Sequence, residues 1–218
     1  MIKIADGVWQ LGGFPRNLIN AYLVEDVLID CKTRWAKRSM LKQLDGRPLS
    51  LVALTHCHPD HQGTARAVCQ QFGVPLACHE ADVPAMEGRA SMAPENRFVR
   101  FATRIWAGPA QRVDRVLREG DLVAGFRVLH APGHTHGHVI YFRESDRVAI
   151  VGDLMANTHF VSGEVGLRVP PARFCVDAEE NLRSLRRLAS LEPSIICFGH
   201  GPPLLDDGVL QEFVAGLM

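Results

Sequence analysis

The sequence predicts an α/β fold in which two similar strand–helix units pack face to face. Three observations support this. Short apolar runs recur with the length of buried strands, amphipathic helical segments follow them in each half, and ionisable residues gather where the runs end, which is where α/β folds place their sites. With 218 residues, 47% of them hydrophobic, the chain can bury a substantial core.

In chain order, INAYLV (19–24) and VLID (27–30) read as two strands of a hairpin turning at Glu25-Asp26. Residues 35–45 form an amphipathic helix closed by Gly46. LSLVALTH (49–56) is a continuous apolar run typical of a buried strand, and it empties into a histidine-rich loop. After Gly63, residues 64–73 have helical spacing, with Ala67, Val68 and Phe72 inward and Gly73 as the stop. Residues 74–80 read as another strand. The stretch 81–120 differs: it carries Pro84, Pro94, Pro109, two methionines, Trp106 and many arginines. It reads as a helical insertion within a single domain spanning 1–218, its clearest helix starting at Pro94. Strands return at 121–133, with a turn at Ala124-Gly125, and at 138–143 and 147–153. Residues 157–175 are irregular. Residues 177–193 carry the strongest helix signal: Asp177 is a natural N-cap, acids fill the first turn, and Leu182, Leu185 and Leu188 line one face. SIICFGHG (194–201) is a last buried strand running into a loop.

Composition narrows the function. Lys and Arg total 24 and so do Asp and Glu, and this balance argues against a broad nucleic-acid surface. No segment approaches 18 unbroken apolar residues, so no membrane span is expected. The N-terminus lacks the layout of a signal peptide, and a cytoplasmic location is the expectation. The six cysteines show no CxxC pairing and are expected as buried free thiols. Oligomeric state stays open, with a homodimer among the options.

The stretch THCHPDHQG crowds His56, His58, Asp60 and His61 behind one apolar strand. His134 follows a second strand, Asp153 ends a third and His200 ends a fourth. Imidazoles and carboxylates together suit zinc, iron or manganese. His56 and His58, two apart on an extended chain, face the same side. Asp60 and His61 converge only if the chain turns, and Pro59 helps enforce that turn. The loop can therefore feed two metals, His56 and His58 on one and Asp60 and His61 on the other. Asp153 is the candidate for a shared carboxylate that fixes a spacing of roughly 3.5–4 Å. Burying seven such groups without partners would cost several kcal/mol, of order 2–7 for each polar group.

These residues resemble the metallo-β-lactamase-fold hydrolases. The HxHxDH signature stands as His56, His58, Asp60 and His61, followed in order by PGHT with His134, Gly-Asp with Asp153 and Gly-His-Gly with His200. The resemblance covers residues 8–205 and implies a four-layer αβ/βα sandwich with its site at one edge between the sheets. It implies two divalent ions, zinc first and iron or manganese next. His56, His58 and His134 would hold one, Asp60, His61 and His200 the other, and Asp153 would bridge. The activity implied is hydrolysis, with a metal-bridging hydroxide attacking an ester, thioester, lactone or amide carbonyl of a small molecule and Asp60 orienting the nucleophile and shuttling its proton. His138 is expected as a hydrogen-bond partner behind the ligands, not as a ligand.

Departures from better-known members narrow this further. Only 18 residues follow His200, so the helical C-terminal region of glyoxalase II is expected to be missing. Asp153 argues against antibiotic hydrolysis. The tyrosine that lactonases place after the bridging aspartate is replaced by Leu154, Met155 and Ala156. Within 81–120, Met86, Met92, Phe98, Phe101 and Trp106 could wall a substrate lid. Arg97, Arg100 and Arg104 share a helix face, which reads first as a solvated surface and second as a site for an anionic substrate group. Trp106, Arg100 and His159 are the candidate substrate contacts. Cys57 is expected to pack away from the ligands. A persulfide dioxygenase-like iron enzyme and a phosphodiesterase or nuclease are the competing readings.

Overall fold

The computed structural model describes residues 1–13 and 15–217. One sheet holds seven strands in sequence order: β1 (Ile2–Ala5), β2 (Val8–Gln10), β3 (Tyr22–Val24), β4 (Val27–Ile29), β5 (Leu51–Ala53), β6 (Leu76–His79) and β7 (Arg115–Leu117). Its first four strands form an antiparallel meander, and β4 through β7 run parallel. The second sheet holds β8 (Leu122–Val123), β9 (Phe126–His130), β10 (Val139–Arg143), β11 (Val148–Gly152), β12 (Ile195–Phe198) and β13 (Leu204–Leu205). There β8 to β11 are antiparallel and β11 pairs parallel with β12. Each parallel step needs a crossover, and helices supply most of them.

The helices are α1 (Lys37–Leu44), α2 (Pro59–Gln62), α3 (Ala65–Phe72), α4 (Val83–Met86), α5 (Arg97–Trp106), α6 (Ala178–Ser190) and α7 (Val209–Ala215). Apolar side chains alternate along the strands and so build three core layers. The middle layer joins the sheets through Tyr22, Val24 and Ile29 on one side and Phe126, Tyr141 and Ile150 on the other. The opposite face of the first sheet buries Leu28, Val52 and Leu76 against Met40, Leu44 and Val68 of α1 and α3. The opposite face of the second buries Ile140, Val151 and Phe198 against Leu185, Leu188 and Leu210 of α6 and α7. Helix, sheet, sheet, helix is the αβ/βα sandwich. Among the described residues no helix is long and apolar enough to cross a membrane.

Local chemistry sets most element ends. Asp177 accepts from the Glu180 amide at 2.9 Å and caps α6, a contact typically worth ~1 kcal/mol. Gly73 ends α3 at φ +67, a left-handed conformation that costs glycine least. The hairpin turns at Glu25 and Ala124-Gly125 form as the sequence predicts. Three expectations need correction. The clearest helix in 81–120 starts at Arg97, not Pro94, because Asn96 takes the cap and accepts from the amides of Phe98 and Val99. The same stretch is not wholly helical, since residues 115–117 add β7 to the edge of the first sheet. Met86 is 1% exposed and belongs to the core beneath α1 and α3, so it cannot wall a lid.

The two sheets are stitched together beside the strand ends. Tyr22 donates its hydroxyl to Phe198 O at 2.8 Å, and Tyr141 donates to Leu54 O at 2.8 Å. Burial holds both phenols well above their ordinary range, so both act as structural donors. All six cysteines are buried and unpaired.

Candidate metal centre

The loops after β4, β5, β9, β11 and β12 meet at one edge of the sandwich and carry Asp30, His56, His134, Asp153 and His200. The geometry divides the predicted residues into two groups. His56, His58 and His134 form one; Asp60, His61, Asp153 and His200 form the other. Within each group the inward-facing donor atoms lie within 4.8 Å of one another. The short helix α2 explains how adjacent residues converge. Starting at Pro59, it rotates successive side chains by about 100° rather than the 180° of a strand, so Asp60 and His61 both reach the second group.

Each imidazole is steered from behind. His56 Nδ1 donates to Thr55 Oγ1 at 3.1 Å, and that hydroxyl donates to Asp30 Oδ2 at 2.8 Å. His61 Nδ1 donates to the same Asp30 oxygen at 2.9 Å. His58 Nε2 donates to Ala93 O at 2.6 Å, and His200 Nδ1 donates to Leu18 O at 2.5 Å. His134 Nδ1 faces the Cys175 thiol at 3.9 Å. The opposite nitrogen of every ring therefore points inward; His134 Nε2 and His58 Nδ1 lie 2.9 Å apart. This is the arrangement in which a partner fixes the tautomer and ring angle of a metal-binding histidine.

Asp153 stands between the groups. Its Oδ2 lies 3.1 Å from His200 Nε2 and 3.6 Å from His134 Nε2, and its Oδ1 lies 3.2 Å from His61 Nε2. Asp60 Oδ2 lies 3.3 Å from His200 Nε2. His138 Nε2 accepts from the Asp153 amide at 3.1 Å, which is the supporting role expected of it. Gly199 makes room for this approach: a Cβ there would lie 2.2 Å from Asp153 Oδ1.

The residues fit metal ions on a direct observation. Among the described residues, His56 Nε2 is buried, points into the site and has no hydrogen-bond partner, while His61 Nε2 and Asp153 Oδ1 have only each other, 3.2 Å apart and poorly aligned for a hydrogen bond. Orphaned polar atoms of that kind are costly unless something else satisfies them. The electrostatics agree. Burial drives His56 and His134 well below the usual imidazole range and His138 down to about 3. Burial also opposes charge on His61 and His200, yet Asp153 overrides it, with Asp30 for His61 and Asp60 for His200. His61 is raised well above the usual range and His200 to about 10. Asp60 is drawn down to about 2 despite burial, mainly by His200. Without an ion, protons supply the positive charge that these carboxylates demand.

A family model described as the metallo-beta-lactamase superfamily matches residues 15–200. The chain belongs to the metallo-β-lactamase superfamily. It is a metal-dependent hydrolase of that superfamily. The probable metallo-hydrolase YybB of Bacillus subtilis is 29% identical over 160 residues, covering 73% of this chain and 67% of the relative. The hydroxyacylglutathione hydrolase GloC of Haemophilus influenzae is 30% identical over 163 residues, covering 70% of this chain and 69% of its own. The solved structure of TTHA1623 in a di-iron-bound form matches with TM-score 0.66 and 32% identity, over 90% of this chain and 94% of that one.

Around this superfamily site the expected substrate contacts fall differently. Trp106, at the end of α5, is half-buried with its ring 6.3 Å from Phe160, whose ring stands edge-on 5.3 Å from His200. Arg100 is exposed and makes no side-chain hydrogen bond or ion pair among the described residues. His159 is exposed and serves its own turn, its Nδ1 accepting from the Ser162 amide at 3.1 Å. Its neighbour Phe160 is the residue that faces the site, and nothing in an irregular loop marked it. Cys57 packs inward as expected, its Sγ 3.7 Å from Met86 Sδ. Asp30 was not legible as a site residue because it looks like the polar end of a strand.

Proposed function

We propose that the protein is a dinuclear metal-dependent hydrolase of small esters, thioesters or lactones, with zinc as the first candidate ion. The observation that carries this reading is the placement of Asp153, whose two oxygens lie within 3.6 Å of nitrogens from both groups. His56, His58 and His134 would hold one ion, Asp60, His61 and His200 the other, with Asp153 shared. Such ions supply Lewis acidity toward a carbonyl and lower the pKa of bound water toward neutrality. Asp60, ionised at neutral pH and beside His200, orients the attacking oxygen and receives its proton for delivery to the leaving group. Asp30 keeps His56 and His61 in one tautomer, so their inner nitrogens stay free of protons when an ion binds. Phe160 and Trp106 present apolar surface beside His200 that receives the acyl portion of the substrate.

The two groups together offer ligands enough for two ions, which supports hydrolysis through a shared water over chemistry at a single iron. The name of the Haemophilus relative, denoting cleavage of an acylglutathione, also favours a thioester within the class. A panel of thioesters, esters, lactones, phosphodiesters and β-lactams tests the reading. Turnover confined to the first three supports it, and preference for phosphodiesters contradicts it. Within the panel, Phe160→Ala is expected to raise KM about tenfold for long acyl groups with kcat little changed, equivalent to ~1.4 kcal/mol of lost apolar contact. An unchanged KM across acyl lengths would remove Phe160 from the binding wall.

A further inference from the structure

The two groups of ligands differ in what holds their loops, and we infer that Asp82 is the positioning residue of the triple-histidine half. This rests on the two-ion reading above. Asp82 is 6% exposed and ends the short 3-10 turn Glu80–Asp82 that follows β6. Its Oδ2 accepts from the Cys57 amide at 2.8 Å and from Thr135 Oγ1 at 3.1 Å. Its Oδ1 accepts from the Gly137 amide at 3.0 Å. Cys57 lies between His56 and His58, and Thr135 follows His134. One carboxylate thus joins the two chain segments that supply all three nitrogens of that group.

Gly137 shows how close the joint is. A Cβ there would lie 2.6 Å from both Cγ and Oδ1 of Asp82. No salt bridge includes Asp82 among the described residues, so these three charge-assisted hydrogen bonds are what compensates its burial. Among the described residues Asp82 makes no direct hydrogen bond to Asp60, His61, Asp153 or His200. His61 is steered by Asp30, and His200 by Leu18 O. Asp82 also opens the 81–120 stretch, whose Ala93 carbonyl holds His58 from the far side. The triple-histidine group is therefore braced by that stretch at two points, the second group at neither.

Stepwise zinc titration against a chromophoric chelator tests this. The wild type is expected to take up two equivalents. Asp82→Asn keeps the size of the side chain but turns a donor toward an amide donor. It is expected to weaken one equivalent roughly 10–100-fold and leave the other at wild-type affinity. Asp60→Ala should weaken the other equivalent, so that the double variant loses both. Thr135→Val removes one of the three bonds and should weaken the same equivalent as Asp82→Asn by a smaller factor, which serves if Asp82→Asn does not fold. A role confined to core structure predicts that both equivalents weaken together with the melting temperature of the zinc-free protein. That result, an unchanged titration, or a double variant no worse than Asp60→Ala alone overturns the inference. Wild-type protein that binds fewer than two equivalents overturns the two-ion reading itself, before any variant is made.

Discussion

Replacing Asp60 by alanine is expected to lower kcat by roughly 10²–10⁴-fold when assayed at saturating metal. The expectation follows from where α2 places this carboxylate. Its Oδ2 lies 3.3 Å from His200 Nε2, in the group that also contains His61 and Asp153, and it is drawn down to about 2, so it is an acceptor across the working pH range. Among the described residues of the site no other carboxylate is free for the task, because Asp153 lies among three imidazoles and Asp30 is committed to Thr55 and His61. Saturating metal separates loss of proton transfer from loss of an ion. Near-wild-type turnover with both ions retained would show that the nucleophile is oriented by something else.

The second large effect concerns protons. In the ion-free protein Asp153 and its neighbours raise His61 well above its usual range and His200 to about 10, which favours the protonated ring in both. Ions need those same inner nitrogens bare. Filling the site should therefore release at least two protons per chain, one from each ring and a further one from any water that ionises on the ions, and affinity should rise with pH by roughly tenfold per unit for each proton released. Calorimetry in buffers of different ionisation enthalpy reads the number directly; release of none would contradict the arrangement. The same shifts act on stability. Groups whose pKa rises on folding contribute fully below the unfolded value of 6.5, and the contribution of His200 is lost as pH climbs through about 10. The chelated protein should lose melting temperature between pH 7 and 10 through this term, and the loaded protein should not.

Much of the site was legible because its chemistry is local. Three histidines and an aspartate between His56 and His61, and single polar residues closing three other apolar runs, cannot be buried without a shared partner. All seven fall into the two groups. The two halves were legible for a related reason, since buried strands and amphipathic helices leave periodic traces. What escaped depends on tertiary contact. β7 is three residues long with Arg115 and Val116 exposed, so it shows no apolar run, and its identity comes from pairing with β6. Asp82 looks like any acid at the start of a polar stretch, and only the folded chain sets Cys57, Thr135 and Gly137 around it. His159 is conspicuous as a histidine, whereas it is the ring of Phe160, next to it in the turn from His159 to Glu164, that stands 5.3 Å from His200.

Two-ion hydrolysis at this site is tested by the metal content of the purified chain, by elemental analysis, before and after exhaustive chelation and reloading. Two transition-metal ions per chain are expected, lost together with hydrolysis of acyl substrates and restored with it. One ion per chain at full activity, or full activity with none, would contradict it.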